Sequence, residues 1–404
     1  MKHAAARVLP PALCLAVALL IWYPLRIPLH IPWAGTLWER LHDVTVALLL
    51  IASVPSAARF LRTRGPWMRD VPVLYLALCM VSVIPLLGVP TLGFAYARMQ
   101  WITLAVYGAT FLCAYGVARQ SPRVVIGLAA AWCSWAVVSA GGAVISALIH
   151  GRLIHDAVDA MGHTNSRAGF ELVVMLFILG AVWRDAPRLR AAFLPLLLLL
   201  ATSVTLSLSR GAWMGFLAGL VVCVGWHWGW RRGAVVLAAG VVLAVALPGP
   251  VGDRARSVAD AGLASNLFRV QVWRAALSVI RENPWGGSGY DTLWFSLLSH
   301  LGADTPTMAG KHVHNLLLQT WAETGLLGAA ALGGVFAGML RSAWAMGNGP
   351  AGVNRLVGRG VVIALAGSVA HSLVDCTWRD YGQQILFWSL AGWIAGSREH
   401  EDAT

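Results

Sequence analysis

Arg210 is the first residue in this sequence whose type and position could do chemistry. It lies in the short stretch Leu206-Ser-Leu-Ser-Arg-Gly211, between two apolar runs. A guanidinium presents a planar fork of donors that fits phosphate oxygens, so one interpretation is a binding site for an anion. The alternative is an ordinary arginine that reaches from a helix end to the membrane surface. The residue type and its position leave these two interpretations evenly balanced.

A second arginine, Arg269, lies in a stretch whose apolar residues recur at helical spacing. This spacing predicts a helix from about Leu267 to Arg281, and Ser265 or Asn266 is expected to cap its start. We therefore expect Arg269 in the first turn, where exposed backbone N–H groups favour an anion. The sharper interpretation is a second phosphate contact, and the alternative is a solvated surface helix.

Two histidines in the segment Lys311-His-Val-His-Asn315 could take part in acid–base chemistry, because histidine titrates near neutral pH. We expect this segment to precede a helix, and helical phase groups His312 with Gln319 and Glu323 on one face. His314 then falls on the opposite, more apolar face. A metal site is not favoured, because positions two apart on a helix do not share a face. Capping or packing is the alternative role.

His371 and Asp375 are predicted to lie on one face of a late apolar helix. An ionisable pair at membrane depth is a functional candidate by default, although a structural hydrogen bond at the outer rim explains it equally well. The chain has no P-loop and no Asp-x-Asp motif. It therefore predicts neither nucleotide hydrolysis nor a metal-bound nucleotide sugar, and we expect no metal and no cofactor.

The elements that carry these residues follow from composition. Only 12% of the 404 residues are charged and 58% are hydrophobic, whereas a soluble domain has about 25% charged residues. The apolar residues form long continuous runs, each able to cross the roughly 30 Å hydrocarbon core as a helix. The sequence therefore predicts an all-α polytopic membrane protein with about 12 transmembrane helices. The expected spans are 8–25, 43–59, 71–89, 99–118, 124–149, 168–183, 191–208, 211–230, 233–250, 324–343, 356–375 and 383–397.

Three regions are predicted along the chain. Residues 1–250 hold transmembrane helices 1–9, residues 251–323 form a long loop with amphipathic helices, and residues 324–404 hold helices 10–12 and a short tail. Loops this long are usually functional. The first apolar run has no Ala-x-Ala cleavage motif before a polar domain, so we expect it to be retained as a span.

The distribution of Lys and Arg predicts the orientation, since cytoplasmic loops carry an excess of both. With both chain ends placed in the cytoplasm, 17 basic residues fall in inner segments and 7 in short outer ones. The long loop 251–312 then lies outside. We therefore expect the arginines and histidines described above to converge on the outer face.

Several motifs, taken in their order along the chain, resemble the O-antigen ligase and O-antigen polymerase superfamily of bacterial envelope enzymes. They lie between about residues 160 and 380: Asn165 to Leu172, Ser207-Leu-Ser-Arg-Gly211, Arg269 with Trp273, Asn283-Pro-Trp-Gly-Gly-Ser-Gly289, and His314-Asn315 with Glu323, Gly325 and Gly328. The first 150 residues match the superfamily only in being apolar spans.

The resemblance implies a periplasmic glycosyltransferase of the bacterial inner membrane that uses neither ATP nor metal. Such enzymes move a glycan from undecaprenyl diphosphate to an acceptor hydroxyl. By motif, Arg210 and Arg269 hold the diphosphate, and Arg167 is a weaker candidate for the same anion. His314 is the general base by motif, whereas helical phase groups His312 with the polar face.

Ligases of this superfamily use a sugar of lipid A-core as the acceptor, and an O-antigen ligase is our first interpretation. Its partners are the undecaprenyl-diphosphate-linked glycan, lipid A-core and membrane lipid, without nucleic acid. Asn315, Glu323, His371 and Asp375 are expected to support the site. An O-antigen polymerase is the second interpretation, and an enzyme that glycosylates protein hydroxyls is a third. A lipid-linked glycan transporter is a fourth, although transporters favour polar groups at the membrane midplane.

Overall fold

The computed structural model describes most of the chain between residues 32 and 403. The ranges left out within these limits are 63–66, 89–92, 120–123, 151–163, 185, 259, 261 and 302–311. The expected first span, 8–25, lies outside the described residues. Within the described ranges the chain forms helices and no strand.

Fourteen α-helices and two short 3₁₀ helices are described in these ranges. In chain order, the α-helices are α1 (Pro32–Arg62), α2 (Trp67–Ser82), α3 (Gly93–Ala118), α4 (Val124–His150), α5 (Thr164–Val182), α6 (Pro187–Leu206), α7 (Arg210–Trp228), α8 (Trp230–Ala246), α9 (Gly249–Arg256), α10 (Ala264–Glu282), α11 (Leu293–Leu298), α12 (Leu316–Gly347), α13 (Val353–Ser372) and α14 (Tyr381–Ala403). The 3₁₀ helices are Ile84–Gly88 and Thr377–Arg379.

Eight of the described helices are long and apolar enough to cross a membrane: α1, α3, α4, α5, α6, α7, α12 and α13. The other predicted spans in these ranges fall on α2, α8 and α14. The apolar stretch at α2 is shorter, and α8 bends by 113° into α9, which gives nine spans if that pair counts as one. The predicted class, an all-α polytopic membrane protein, is confirmed.

Helix α13 lies at the centre of the bundle, packed against α5, α7 and α12. Its approach to α7 is close because both helices carry glycine at the crossing. A Cβ atom added at Gly215 would lie 2.6 Å from Gly367 O. Small residues allow this kind of backbone approach between membrane helices. As a result, the last turn of α13 lies directly beside the first turn of α7.

The helices between α8 and α12 form an outer layer with a small apolar core of its own. Helix α10 packs against α11 and α12 through the buried residues Val272, Ala276, Leu293 and Val313. The helix predicted from about Leu267 to Arg281 is therefore present, somewhat longer than expected.

The predicted cap of this helix is wrong. Leu263 occupies the N-cap position of α10, without a side-chain hydrogen bond. Ser265 and Asn266 lie inside the helix and hydrogen-bond to Arg210 instead. Because α10 begins at Ala264, Arg269 lies beyond the first turn. Asn283 is the C-cap residue of the helix.

Candidate functional site

The segment 312–315 leads into α12 and is held from two sides. Asn315 caps the helix, accepting a hydrogen bond through Oδ1 from the backbone N–H three residues on (3.0 Å). Its Nδ2 donates to Leu373 O beyond the end of α13 (3.0 Å). Trp273 of α10 donates from Nε1 to Val313 O (2.8 Å). One amide and one indole therefore fix the segment between three helices.

The helical-phase prediction for the two histidines is wrong. Helix α12 begins just after its N-cap Asn315, so both His312 and His314 precede it. His314 has a φ of 53°, in the left-handed region, which turns the chain sharply into the helix. Gln319 and Glu323 do share a face of α12, and Gln319 Nε2 donates to Glu323 Oε1. Helical phase therefore says nothing about which histidine meets a substrate.

His314 forms a hydrogen-bonded pair with Asp375. The distance between His314 Nδ1 and Asp375 Oδ1 is 3.1 Å, and the imidazole is 24% exposed while the carboxylate is 9% exposed. A carboxylate at Nδ1 holds the proton on that nitrogen and leaves Nε2 as the acceptor. The Phe268 ring of α10 lies edge-on to the imidazole, with 6.4 Å between centroids. The pair has the geometry of an oriented general base.

The prediction that Asp375 and His371 lie on one face of a helix is wrong. Helix α13 ends at Ser372, and Asp375 lies in the following turn, where its N–H donates to His371 O (3.1 Å). Burial raises the pKa of this carboxyl, but the hydrogen bond and charge of His314 outweigh it and lower the pKa to about 2. The side chain is therefore a carboxylate at neutral pH.

His312 differs from His314 in its surroundings. Burial and the nearby positive charge of Arg379 lower the pKa of His312 to about 4, so the imidazole is neutral at physiological pH. Its Nδ1 is buried and has no hydrogen-bond partner among the described residues. This neutral ring is suited to a hydrogen bond and is poorly suited to taking up a proton.

His371 is buried in the bundle next to the start of α7. The side chain is 1% exposed. Cβ atoms added at Gly169 and Gly211 would lie 3.0 Å from its Cε1 and 2.6 Å from its Cδ2. Its Nε2 has no hydrogen-bond partner in the described part of the chain. The His371 ring thus packs between α5 and α7, four residues before Asp375.

Arg210 is the first residue of α7, and Ser209 caps that helix. The Arg210 guanidinium donates hydrogen bonds to neutral oxygens of the outer layer. Nη1 donates to Ser257 O (2.9 Å) and, more weakly, to Ser257 Oγ (3.4 Å), whereas Nη2 donates to Ser265 Oγ (3.1 Å) and Asn266 Oδ1 (2.8 Å). No carboxylate among the described residues pairs with it. Arg210 therefore joins α7 to both α9 and α10.

Two further arginines lie around Arg210. Arg254 of α9 donates from Nε to Leu208 O (3.2 Å), two residues before Arg210. Arg269 follows Ser265 by four positions on α10 and so lies on the same face of that helix. The positive charges of Arg254 and Arg269 both act on Arg210. We call Arg210, Arg254 and Arg269 the arginine cluster.

Like charges repel, so a cluster of three cations is costly unless an anion joins them. Neither Arg254 nor Arg269 forms an ion pair with a described acidic residue. The nearest acidic residue in sequence, Asp253, pairs with Arg256 instead, at 2.5 Å. The cluster also lies at the N-terminus of α7, where the helix dipole favours negative charge. Its geometry suits a multiply charged anion.

Arg167 lies elsewhere. It is buried in α5, and its Nη1 approaches Ser203 Oγ of α6 at 3.5 Å. The charges that act on Arg210 come from Arg254 and Arg269. The structure therefore places Arg167 inside the bundle, beside α6.

The glycine-rich turn after Asn283 fastens the outer layer to α12. Helix α12 is broken at Gly325, which has a φ of 68° and a ψ of −177°. The turn supplies partners for the backbone groups at this break. Ser288 N donates to Ala322 O (2.8 Å), Gly289 N donates to Glu323 O (2.8 Å), and Leu326 N donates to Pro284 O (2.9 Å). The motif and the break thus form one backbone-paired unit.

Glu323 belongs to a buried ionic cluster with Arg379. Arg379 Nη2 lies 2.5 Å from Glu323 Oε2 and 3.6 Å from Asp291 Oδ1, and its guanidinium stacks 4.0 Å over the Tyr290 ring. Tyr96 of α3 donates to Asp291 Oδ2 (2.9 Å). These contacts tie α12 and the turn after α13 to α3.

The structure therefore brings most of the predicted site residues into one region. Asn315 and Asp375 lie beside His314, and Phe268, the neighbour of Arg269 in sequence, contacts the His314 ring. His312 and Glu323 adjoin the region through Arg379, and His371 lies just before Asp375. Arg167 is the exception.

Three residues of the region were missed from the sequence: Arg254, Asp291 and Arg379. Arg254 reaches Arg210 only because α9 turns 113° away from α8, and no spacing rule reports such a bend. Asp291 has a φ of 61°, and an aspartate two residues after Gly-Ser-Gly is typical of a turn. Arg379 pairs with Glu323, 56 positions earlier, and no local pattern links the two.

Among the described residues, no group of three or more His, Cys, Asp or Glu side chains could hold a metal ion. A comparison with curated proteins found no match. Residues 195–333, from within α6 into α12, match the family model for O-antigen ligase. Members of that family act enzymatically on lipid-linked glycans. The match spans Arg210, Arg254, Arg269 and His314, and with it the resemblance to the O-antigen ligase superfamily is confirmed for this segment.

Proposed function

We propose that this protein is a glycosyltransferase that joins O-antigen polysaccharide from undecaprenyl diphosphate to a sugar hydroxyl of lipid A-core. The observation that carries the proposal is the position of the arginine cluster beside the pair of His314 and Asp375. Phe268 contacts the His314 ring, and the charge of the next residue, Arg269, acts on His371, whose carbonyl accepts from the Asp375 N–H. This neighbourhood of cations and an oriented imidazole supports a direct glycosyl transfer.

The arginine cluster would hold the diphosphate of the donor. Guanidinium groups neutralise a diphosphate without a metal ion, which makes it a good leaving group. The transfer is therefore proposed to need neither ATP nor a divalent cation.

The acceptor hydroxyl would lose its proton to His314 Nε2, because Nδ1 is engaged by Asp375. The acceptor oxygen then attacks the anomeric carbon, and the bond from that carbon to the phosphate oxygen breaks with its electron pair on the oxygen. A positioned base contributes about 10²–10⁴-fold to such a step. Attack in a single step inverts the anomeric configuration.

A transporter is the competing proposal from another class, and the break in α12 bears on it. Transporters use broken helices whose freed backbone groups bind ions or substrate. In this chain Ala322 O, Glu323 O and Leu326 N, which flank the break, are paired with the turn 284–289, so these groups are not open to a ligand. The break therefore supports an enzyme whose outer layer is fixed in place.

We place the reaction on the periplasmic side of the inner membrane, with both chain ends in the cytoplasm. The support is the excess of Lys and Arg in the opposite short loops. A polymerase of the same superfamily remains the second proposal, because it would use the same donor site with a repeat unit as the acceptor.

The test is deletion of the gene followed by complementation with variants, with lipopolysaccharide read by mass spectrometry. The ligase proposal expects lipid A-core without any O-antigen in the deletion strain, whereas single attached repeats would instead show a polymerase. Arg269→Ala should fail to restore the polymer, and Arg269→Lys should restore part of it, because a point charge lacks the fork. Arg210→Ala should fail as well.

The matched control is Arg274→Ala, because Arg274 is exposed on the same helix and lies outside the cluster. It should restore the polymer fully. Wild-type polymer from both Arg210→Ala and Arg269→Ala, at normal protein levels, would remove the diphosphate assignment.

A further inference from the structure

The donors of Arg210 are already in use. An arginine has five N–H donors, two on each terminal nitrogen and one on Nε. Both terminal nitrogens of Arg210 are hydrogen-bonded, to oxygens of Ser257, Ser265 and Asn266. Only the Nε–H is left for a ligand. Arg210 therefore supplies charge and structure to the cluster more than hydrogen bonds.

Arg254 is the opposite case. Its Nε donates to Leu208 O, and its two terminal nitrogens make no hydrogen bond within the described structure. The Nε contact fixes the guanidinium near Arg210, and Ser257 Oγ donates to Arg254 O (2.7 Å), which holds the backbone of α9 in the same place. Arg254 thus has a positioned guanidinium with four N–H donors that no described residue uses.

The reaction in the proposed function changes the charge of the anion. A diphosphate joined to a lipid at one end and a sugar at the other carries two negative charges. When the sugar leaves, the oxygen that joined it to the terminal phosphate stays on the phosphate and becomes ionisable near neutral pH, so the product carries nearly three. A site that stabilises this added charge accelerates the step, because it binds the transition state better than the donor.

We propose that Arg254 is the group that binds the leaving oxygen of the diphosphate, where the third negative charge appears. The inference rests on the proposed function and deepens it. Three cations then match the three charges of the undecaprenyl diphosphate product, while the donor itself requires only two. Arg269, also without a hydrogen bond in the described structure, binds the charges present throughout the reaction.

Purified full-length protein in nanodiscs tests this, with Arg254→Gln and Arg254→Lys assayed for turnover and for binding of two ligands. The ligands are the lipid-linked glycan donor and undecaprenyl diphosphate. Arg254→Gln should lower kcat by about 10²-fold, the usual effect of removing one donor to a developing charge. It should weaken the binding of undecaprenyl diphosphate by about tenfold more than it weakens the binding of the donor. The turnover and the binding constants of Arg254→Lys should lie between those of the wild type and those of Arg254→Gln.

The control variant is Arg274→Gln, which removes an exposed charge from α10 and should leave the binding of both ligands unchanged. If Arg254 acts only structurally, through its hydrogen bond to Leu208 O, the variants should bind both ligands more weakly by the same factor. That result overturns the inference. Unchanged binding of both ligands overturns it as well. If Arg210→Ala and Arg269→Ala leave donor binding intact, the proposed function itself has failed. If either folded Arg254 variant shows the product-selective loss, the inference stands.

Discussion

His314 combines an unusual backbone with an ordinary side chain. Its left-handed conformation costs about 1–2 kcal/mol for a residue with a Cβ atom. The cost is offset by Asn315, which caps α12 directly after it, and by the hydrogen bond to Asp375. The strain therefore lies at the residue that we propose as the base, and functional sites are where such strain is usually found.

The two histidines should separate in one assay. We expect His314→Ala to lose transfer by two orders of magnitude or more while still binding undecaprenyl diphosphate, because the arginine cluster is untouched. His312→Ala should be milder. Since the pKa of His312 is lowered to about 4, this ring does not titrate between about pH 5 and 8. The pH dependence of turnover in His312→Ala should therefore match that of the wild type.

Donor binding and product formation are measured together across that pH range. An inactive His312→Ala beside a nearly normal His314→Ala would reverse the two roles. A His312→Ala profile shifted in pH would show that His312 titrates during the reaction.

At the scale of elements, the break in α12 and the turn 284–289 depend on each other. A Cβ atom at Gly325 would lie 1.7 Å from Trp285 O, and one at Gly287 would lie 2.3 Å from Glu323 C. Both glycines also have positive φ values, 68° and 69°. The turn can approach α12 closely only because the helix is broken at a glycine. In return, the turn provides hydrogen-bond partners for the backbone groups that flank the break.

Gly325→Ala should therefore destabilise the protein and lower transfer, through a backbone penalty of about 1–3 kcal/mol and the clash with the turn. The matched control is Gly333→Ala, on the same helix, where an added Cβ meets nothing within 4 Å. Thermal unfolding in detergent and transfer activity are measured for both. A Gly325→Ala variant as stable as Gly333→Ala would mean that the turn is not fastened as described.

At the scale of the whole molecule, eight of the predicted spans match membrane-length helices among the described residues, whereas the convergence of the candidate site was not predictable. Apolar runs identified α3 to α7 because a membrane helix is a local pattern. Arg210, Arg269 and His314 were found from residue type and motif. The contact of His314 with Asp375 joins residues 61 positions apart, and the contact of Arg254 with Leu208 needs a bend between two helices. Long-range packing decides both, and local patterns do not encode it.

The helix ends were the least predictable feature, for a related reason. Asn315 starts α12 after the histidines rather than before them, because its side chain satisfies a backbone N–H there. Ser265 did not cap α10, because its hydroxyl accepts from Arg210. The Ser265 oxygen is taken by a distant donor, whereas Asn315 accepts the local N–H through Oδ1 and uses Nδ2 for its distant partner, Leu373 O.

The proposed orientation predicts which loops react from outside. In a variant without natural cysteines, Ser299→Cys should react with a membrane-impermeant thiol reagent in intact spheroplasts, because Ser299 is exposed in the outer layer. Ala351→Cys, exposed between α12 and α13, should react only after lysis. The reverse pattern would place the arginine cluster in the cytoplasm and overturn the topology.

The arginine cluster, which pairs with no carboxylate among the described residues, also determines which ions can accompany the donor. Magnesium and calcium prefer oxygen ligands, and a lipid diphosphate in an aqueous layer attracts them as counter-ions. Three guanidinium groups repel such a cation and offer it no carboxylate. If the cluster binds the diphosphate as proposed, the donor must exchange its divalent ion for arginine on entry. Raised magnesium would then compete with the protein for its own substrate.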